Sequence, residues 1–371
     1  MIFTQQPKVL EMSNPLTASM SEVLALTRAG RLRQATDLIQ RNLRFRNAPA
    51  TARETSVDEI GDIIALPAPI ARPATEPGNP RRAPATPSPA SFERRTLRNA
   101  AGSLDYLLYR PSGLNDPAPL VVMLHGCTQS AEDFSRGTRM NALADELGFI
   151  VAYPEQTRSA NAQKCWNWFR PGDQGKASGE PAVIAAITRE IIAAEGVDSQ
   201  RVYVAGLSAG GAAAAIMASA FPDLYAAAGV HSGLACGSAK DLPSALAAMR
   251  GGGSIREPAS GGKYVPIITF HGDRDNTVHP VNSDRIHAAW KATPAMAGLK
   301  REVTTGCGRS GGAYRKTAML DGEGRSMSES WLLKGAGHAW SGGSPSGSYT
   351  AKSGPDASRE MLRFFMQHRL A

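Results

Sequence analysis

Gly206-Leu207-Ser208-Ala209-Gly210 sets a serine between two glycines, with an apolar run (Val202 to Ala205) before it and an alanine-rich stretch (Gly211 to Ala220) after it. The run reads as a strand and the stretch as a helix. On so sharp a strand-to-helix turn the serine hydroxyl is lifted above a sheet edge, where it can attack an electrophilic carbon. The helix N-terminus directly behind it lends positive partial charge to an oxyanion forming there. Without that context G-x-S-x-G is only a glycine-rich turn; the flanking strand and helix make Ser208 a candidate nucleophile.

Such a hydroxyl needs a base to take its proton, and the base needs an acid to orient it. Seven histidines compete. His125 directly follows a strand, where an imidazole shapes the turn. His231, His271, His279 and His287 precede or flank the place where the acid is still required, and His368 sits on a terminal helix. His338, in Lys334-Gly335-Ala336-Gly337-His338-Ala339-Trp340, follows the last strand in a loop free to reach Ser208, and it fits the chain order serine, acid, histidine. Between the two, Phe270-His271-Gly272-Asp273-Arg274-Asp275-Asn276-Thr277-Val278 offers a pair of aspartates at a strand's end. The H-G-x-x-D-x-x-V arrangement favours Asp275 as the acid, with Asp273 as the alternative; in the favoured reading Asp273 pairs with Arg274 or caps the loop. Two N–H groups are expected to face the oxyanion: that of Ala209, next after the nucleophile, and one from His125-Gly126-Cys127-Thr128, where Cys127 is the candidate.

The elements that must hold these residues alternate. Apolar runs at 120–124, 149–153, 201–205, 227–230, 265–270 and 330–333 are separated by helical stretches near 131–147, 179–196, 210–221, 281–291 and 355–368. Continuous apolar strands between helices predict an α/β fold, a mostly parallel sheet with helices on both faces. Loops at the carboxyl ends of such strands are where active sites form. This zone is taken as residues 93–371. Ahead of it, eight prolines within residues 66–90 mark a flexible linker, bounded at 49–92. Residues 1–48 read as a helical pair whose stripe, Leu32, Ala35, Ile39 and Leu43, it cannot bury alone. Docking to a granule surface or to another protein is the expectation for that pair.

Lys and Arg number 41 against 33 Asp and Glu, a net charge of +8. Six arginines between Arg28 and Arg46 concentrate part of it, but no nucleic-acid motif accompanies them, so a solvated helix face is expected and nucleic acid is not a partner. The four cysteines have no C-x-x-C spacing and no neighbouring histidine cluster, so no metal site is expected. No apolar run reaches the length of about 18 residues that spans a bilayer. Nor does the N-terminus show a basic stretch followed by an apolar one, which favours the cytoplasm.

Taken together, Leu124-His125-Gly126-Cys127-Thr128-Gln129, Cys165-Trp166-Asn167-Trp168, Gly206 to Gly211, the Asp275 loop and Gly337-His338-Ala339-Trp340 resemble the poly(3-hydroxybutyrate) depolymerase family of esterases, which also holds feruloyl and acetylxylan esterases. The resemblance runs through most of residues 95–370. It implies an α/β-hydrolase fold, no cofactor, and hydrolysis of polyesters or short hydroxyacyl esters through an acyl-enzyme. A carbohydrate esterase releasing feruloyl or acetyl groups is the alternative. A third reading, a non-catalytic docking protein on a hydrolase fold, is opposed by the complete set Ser208, Asp275 and His338. The resemblance also implies that Cys127 and Cys165 lie close together, with their oxidation state open. Many members of the family are secreted, so an extracellular location is the alternative to the cytoplasm. Trp340, two residues past the base, and Trp166 are the expected substrate-binding aromatics; Trp166 and Trp168 would face opposite ways on an extended segment, which leaves one of them to the core.

Overall fold

The structure, a computed structural model, describes residues 89–254, 263–291 and 298–370. The expected helical pair and nearly all of the linker lie outside the described residues. An antiparallel hairpin comes first, β1 (Ser91–Asn99) with β2 (Gly102–Arg110), so strand structure starts two residues before the boundary expected at 93. There follow β3 (Ala118–Leu124), helices α1 (Ala131–Thr138) and α2 (Met140–Leu147), β4 (Ile150–Glu155), α3 (Gly179–Ala194), β5 (Val197–Leu207), α4 (Ala209–Ala220) and β6 (Ala227–His231). The second half adds α5 (Leu242–Gly251), β7 (Ile267–Gly272), α6 (Val281–Lys291), β8 (Lys300–Cys307), β9 (Ala313–Leu320), β10 (Ser326–Leu333), the two-residue strands β11 (Trp340–Ser341) and β12 (Thr350–Ala351), and α7 (Ala357–Phe365).

Ten strands form one sheet in the order β1-β2-β4-β3-β5-β6-β7-β10-β9-β8. The six from β4 to β10 run parallel to one another, and antiparallel strands extend both edges. The central strands are apolar because both of their faces are covered: β3, β6 and β7 are buried along their whole length. Alternation divides the two cores. Leu120, Val122 and Leu124 of β3 join the cluster under α3 to α6, whereas Val121 and Met123 join the one under α1, α2 and α7. Helix α4 (AGGAAAAIMASA) is buried on nearly every side, and its small residues let it lie close against the sheet.

The helix expected over 131–147 is two helices. Arg139, at φ 56°, ends α1 in the left-handed region, and its guanidinium bonds Gly342 O and the Asp356 carboxylate. A side-chain anchor to a distant loop thus accompanies the break.

Candidate active site

Strands β3, β5, β6, β7 and β10 finish at one edge of the sheet. Leu124 is in register with Gly206, Leu207 with His231, His231 with Phe270, and Gly272 with Leu333. The loops that leave β3, β5, β7 and β10 each carry one of the residues singled out in the sequence.

Ser208 links β5 to α4 at φ 58°, ψ −119°, a backbone conformation that a non-glycine residue adopts only when its surroundings hold it there. They do: its N–H donates to His231 O at 2.9 Å, and its carbonyl accepts the Ala212 N–H at 2.9 Å. The flanking glycines are obligatory. A Cβ on Gly206 would lie 2.3 Å from the Gly210 backbone, and one on Gly210 would lie 2.0 Å from Leu124 O. Ser208 is half-buried.

Asp275 and His338 meet. His338 Nδ1 lies 2.7 Å from Asp275 Oδ2; the carboxylate can only accept, so Nδ1 carries the proton and Nε2 is left as the basic nitrogen. The other oxygen, Asp275 Oδ1, takes the N–H groups of Thr277 and Val278, both at 2.9 Å. Burial would push this carboxyl up, but the His338 hydrogen bond and charge, with His271 and the Val278 N–H, hold it below the ordinary carboxylate range. Asp273 does a different job. Its carboxylate accepts the Gly335 N–H at 2.7 Å and pairs with Lys334 at 3.4 Å, rather than with Arg274, and so ties the acid loop to the base loop. Ser208 Oγ and His338 Nε2 stand on the same edge with no direct hydrogen bond between them among the described residues, as is common before substrate arrives.

The oxyanion side is built around His125. Burial pushes this imidazole down to about 4, so it is neutral at pH 7. Its Nε2 accepts the Gln156 N–H at 3.0 Å, which fixes the proton on Nδ1, donated to Gly126 O at 2.8 Å. The loop then passes Ser208 so closely that a Cβ on Gly126 would lie 3.6 Å from Ser208 Cβ. Cys127 is bonded to Cys165 as a disulfide. No acceptor among the described residues takes the Cys127 N–H. Ala209 is the first residue of α4, and the N–H groups of a helix's first turn have no acceptor within the helix.

Two expectations are corrected. Trp166 has no exposed surface; its Nε1 donates to His125 O at 3.0 Å, and it supports the oxyanion loop from beneath. Trp340 is 1 % exposed, stacked on His231 and bonded through Nε1 to Ser358 Oγ. Neither has a face for substrate. Trp168, set apart from Trp166 in the expectation, is buried as well.

Sequence reasoning passed over Gln129. It is 2 % exposed, accepts the Gly126 N–H at 2.9 Å, and donates to the Asp133 carboxylate and to Ser348 O. An uncharged polar residue three positions after a glycine at a helix entrance was the available signal. The histidines set aside are structural: His231 is pushed down to about 3 by burial and accepts the Ser341 N–H, and His271, also lowered by burial, donates to Val278 O. Among the described residues no cluster of three or more His, Cys, Asp or Glu is arranged to hold a metal ion, and no helix is long and apolar enough to cross a membrane.

Comparison with known proteins decides the family. A family model described as esterase PHB depolymerase matches residues 104–299, more than half of the chain and a span that includes Cys127, Ser208 and Asp275. The chain belongs to that family. It is 36 % identical over 194 residues to poly(3-hydroxyalkanoate) depolymerase C of Paucimonas lemoignei, covering 49 % of this chain and 47 % of the relative. Feruloyl esterase B of Thermothelomyces thermophilus is 29 % identical over 205 residues, covering 51 % of this chain and 69 % of that one. The chain thus spans about half the length of the depolymerase it matches. Among solved structures, the acetyl xylan esterase from Aspergillus awamori superposes with a TM-score of 0.60 at 21 % identity, over 75 % of this chain and 99 % of its own, which shows the α/β-hydrolase fold.

Proposed function

We propose that this chain is a serine esterase that cleaves carboxylic esters through an acyl-enzyme, acting on poly(3-hydroxybutyrate)-type polyesters or their short hydroxyacyl esters. One observation carries the reading: the buried Asp275 carboxylate bonds His338 on the same sheet edge that presents Ser208. Ser208 Oγ attacks the ester carbonyl while His338 Nε2 takes its proton; the ionised Asp275 stabilises the imidazolium, which then protonates the departing alcohol. The N–H groups of Cys127 and Ala209 receive the oxyanion. Water, activated by the same imidazole, releases the acid.

The polyester reading is supported by the depolymerase relative. A second reading, release of feruloyl or acetyl groups from a polysaccharide, is supported by the esterase relatives of Thermothelomyces thermophilus and of Talaromyces purpureogenus, the latter an acetylxylan esterase 30 % identical over 201 residues. Purified protein offered p-nitrophenyl acyl esters, hydroxybutyrate granules and feruloylated xylan separates the two. Release of hydroxybutyrate with no ferulate supports the first; ferulate or acetate alone supports the second; no Ser208-dependent release from any of them overturns both.

Residues 1–48 are proposed to dock the enzyme on a granule or on another protein. Truncation of residues 1–90 then lowers hydrolysis of granules and leaves turnover of a soluble ester unchanged; equal loss on both substrates rejects docking. As for compartment, the Cys127–Cys165 disulfide favours an oxidising one over the cytoplasm, where thiols are kept reduced.

A further inference from the structure

With Trp166 and Trp340 buried, the site needs another apolar surface to hold the substrate. The large hydrophobic side chains exposed among the described residues are Phe92, Leu147, Val303, Tyr349 and Met366. Phe92 is the second residue of β1, Leu147 ends α2 just before β4, Val303 lies within the edge strand β8 and Met366 follows α7. Tyr349 alone of these adjoins the catalytic loops. Its hydroxyl lies 3.1 Å from Thr128 Oγ1, and Thr128 follows the oxyanion candidate Cys127.

Tyr349 is also held with unusual firmness for an exposed residue. Its backbone sits at φ 51°, in the left-handed region, and Thr128 opposite sits at φ 67°. Bulky side chains rarely occupy that region unless the surroundings impose it, and such positions gather at functional sites. Here hydrogen bonds on both sides of the residue impose it. Tyr349 O accepts the Trp340 N–H at 2.7 Å, the preceding Ser348 N–H and Oγ both bond the Asp133 carboxylate, and Gln129 bonds Ser348 O. The same Gln129 holds the Gly126 N–H, so one buried amide fixes both the oxyanion loop and the strap that carries Tyr349. The residue is nevertheless 47 % exposed.

The side of the nucleophile on which it stands follows from the sheet order. The acid and base loops leave β7 and β10, on one side of β5; Thr128 follows β3, on the other. The imidazolium must face the departing alcohol in order to protonate it. With the oxyanion on the Cys127 and Ala209 N–H groups and the alcohol turned to the imidazolium, the acyl chain is the part of the ester that runs away from the base, toward the β3 side.

Resting on the esterase reading above, we propose that Tyr349 is a substrate-contact residue whose ring forms the wall of the acyl site. It sets the preference for acyl chains long enough to reach past Thr128.

The test compares the full chain with Tyr349→Ala and Tyr349→Phe on p-nitrophenyl acetate and p-nitrophenyl hexanoate, with thermal unfolding to show that each variant is folded. In Tyr349→Ala the ratio of kcat/KM for hexanoate to that for acetate should fall about tenfold, carried by KM, as expected for lost ground-state and transition-state contact alike. Tyr349→Phe, which keeps the ring, should hold the ratio within about twofold of the parent. An unchanged ratio in Tyr349→Ala overturns the proposal. So does a loss of kcat on both esters that Tyr349→Phe shares, since the hydroxyl would then act through Thr128 on the oxyanion loop. Failure of the unsubstituted protein to hydrolyse either ester by way of Ser208 overturns the esterase reading itself; a parent that works beside an unaltered Tyr349→Ala overturns only the acyl wall.

Discussion

The two sides of Ser208 are built by different means. On the oxyanion side, the loop 125–129 is locked by side chains: the disulfide to Cys165, Gln129 on Gly126, the His125 imidazole on Gln156, and Trp166 on His125 O. On the acid–base side backbone bonds between the two loops stand beside the side-chain ones. Asp273 N–H bonds Leu333 O and Arg274 N–H bonds Ala336 O, each at 3.0 Å, with Asp275 and Asp273 as the side-chain links. The difference matches the two tasks. N–H dipoles stabilise a transition state only if they are already aimed before charge develops. An imidazole must instead accept, hold and deliver a proton between two oxygens, which asks for a fixed tautomer and some freedom of the ring.

Substitutions can break each side separately. The largest effect belongs to the residue both sides serve: Ser208→Ala should lower kcat roughly 10⁶-fold with the fold intact, measured on any soluble ester the parent hydrolyses. A variant that kept several per cent of activity, with contamination excluded, would remove Ser208 from the chemistry. Next comes the acid–base side. Asp275→Asn should cost on the order of 10⁴-fold, because the amide favours the wrong imidazole tautomer. Asp273→Asn weakens only the Lys334–Gly335 tie and should cost no more than about tenfold. Reversed losses would make Asp273 the acid.

The oxyanion side should fail more gently. With Cys127 and Cys165 both changed to Ser, the loop keeps its other ties, and kcat should drop about tenfold to a hundredfold with KM little changed, less than the loss of an oxyanion donor outright. The same variant should unfold about 2–4 kcal/mol more easily. A rise in KM at constant kcat would mean that the disulfide shapes binding rather than the oxyanion site.

The smallest effect tests the support beneath that loop. Glu180 accepts from the Asn167 N–H and from the side chains of Asn167 and Gln156, and Gln156 also bonds Cys165 O. Burial, with Asp173 nearby, nevertheless raises its carboxyl from 4.5 to about 7, against the pull of those hydrogen bonds. Between those values the folded protein keeps a proton that the unfolded chain has released, so this contribution to stability is present at low pH and is lost as pH rises through the window. Tm should decline across it, and Glu180→Gln should flatten the decline. Parallel profiles for the two proteins would show that Glu180 does not titrate there.

The sequence disclosed the centre of the molecule and not its margins. Strands covered on both faces must be apolar throughout, which is why the runs at 120–124 and 201–205 could be read directly. Ser208, Asp275 and His338 were legible because each ends or follows such a run. The edge strands β1 and β8 gave no such signal. β8, KREVTTGC, is exposed along nearly its whole length, as suits an outermost strand that must not pair with others. Helix α5 was missed although Asp241 caps it with a reciprocal bond to Ser244, a short-range pattern easily passed over beside a glycine-rich stretch. The aromatics misled for a different reason. Proximity in sequence to His338 says nothing of which way an indole turns, and Trp340 turns onto His231.

Gly272 bears on how this scaffold can be remodelled. A Cβ there would lie 2.2 Å from Ala336 O, so the loop that brings the acid and the loop that brings the base rest backbone on backbone. Neither can be exchanged alone. A library that transplants segment 272–278 from another esterase without segment 334–338 should yield mostly inactive clones, whereas paired transplants should keep activity. In design terms the acid and the base form a single cassette, joined at Gly272, where no side chain fits.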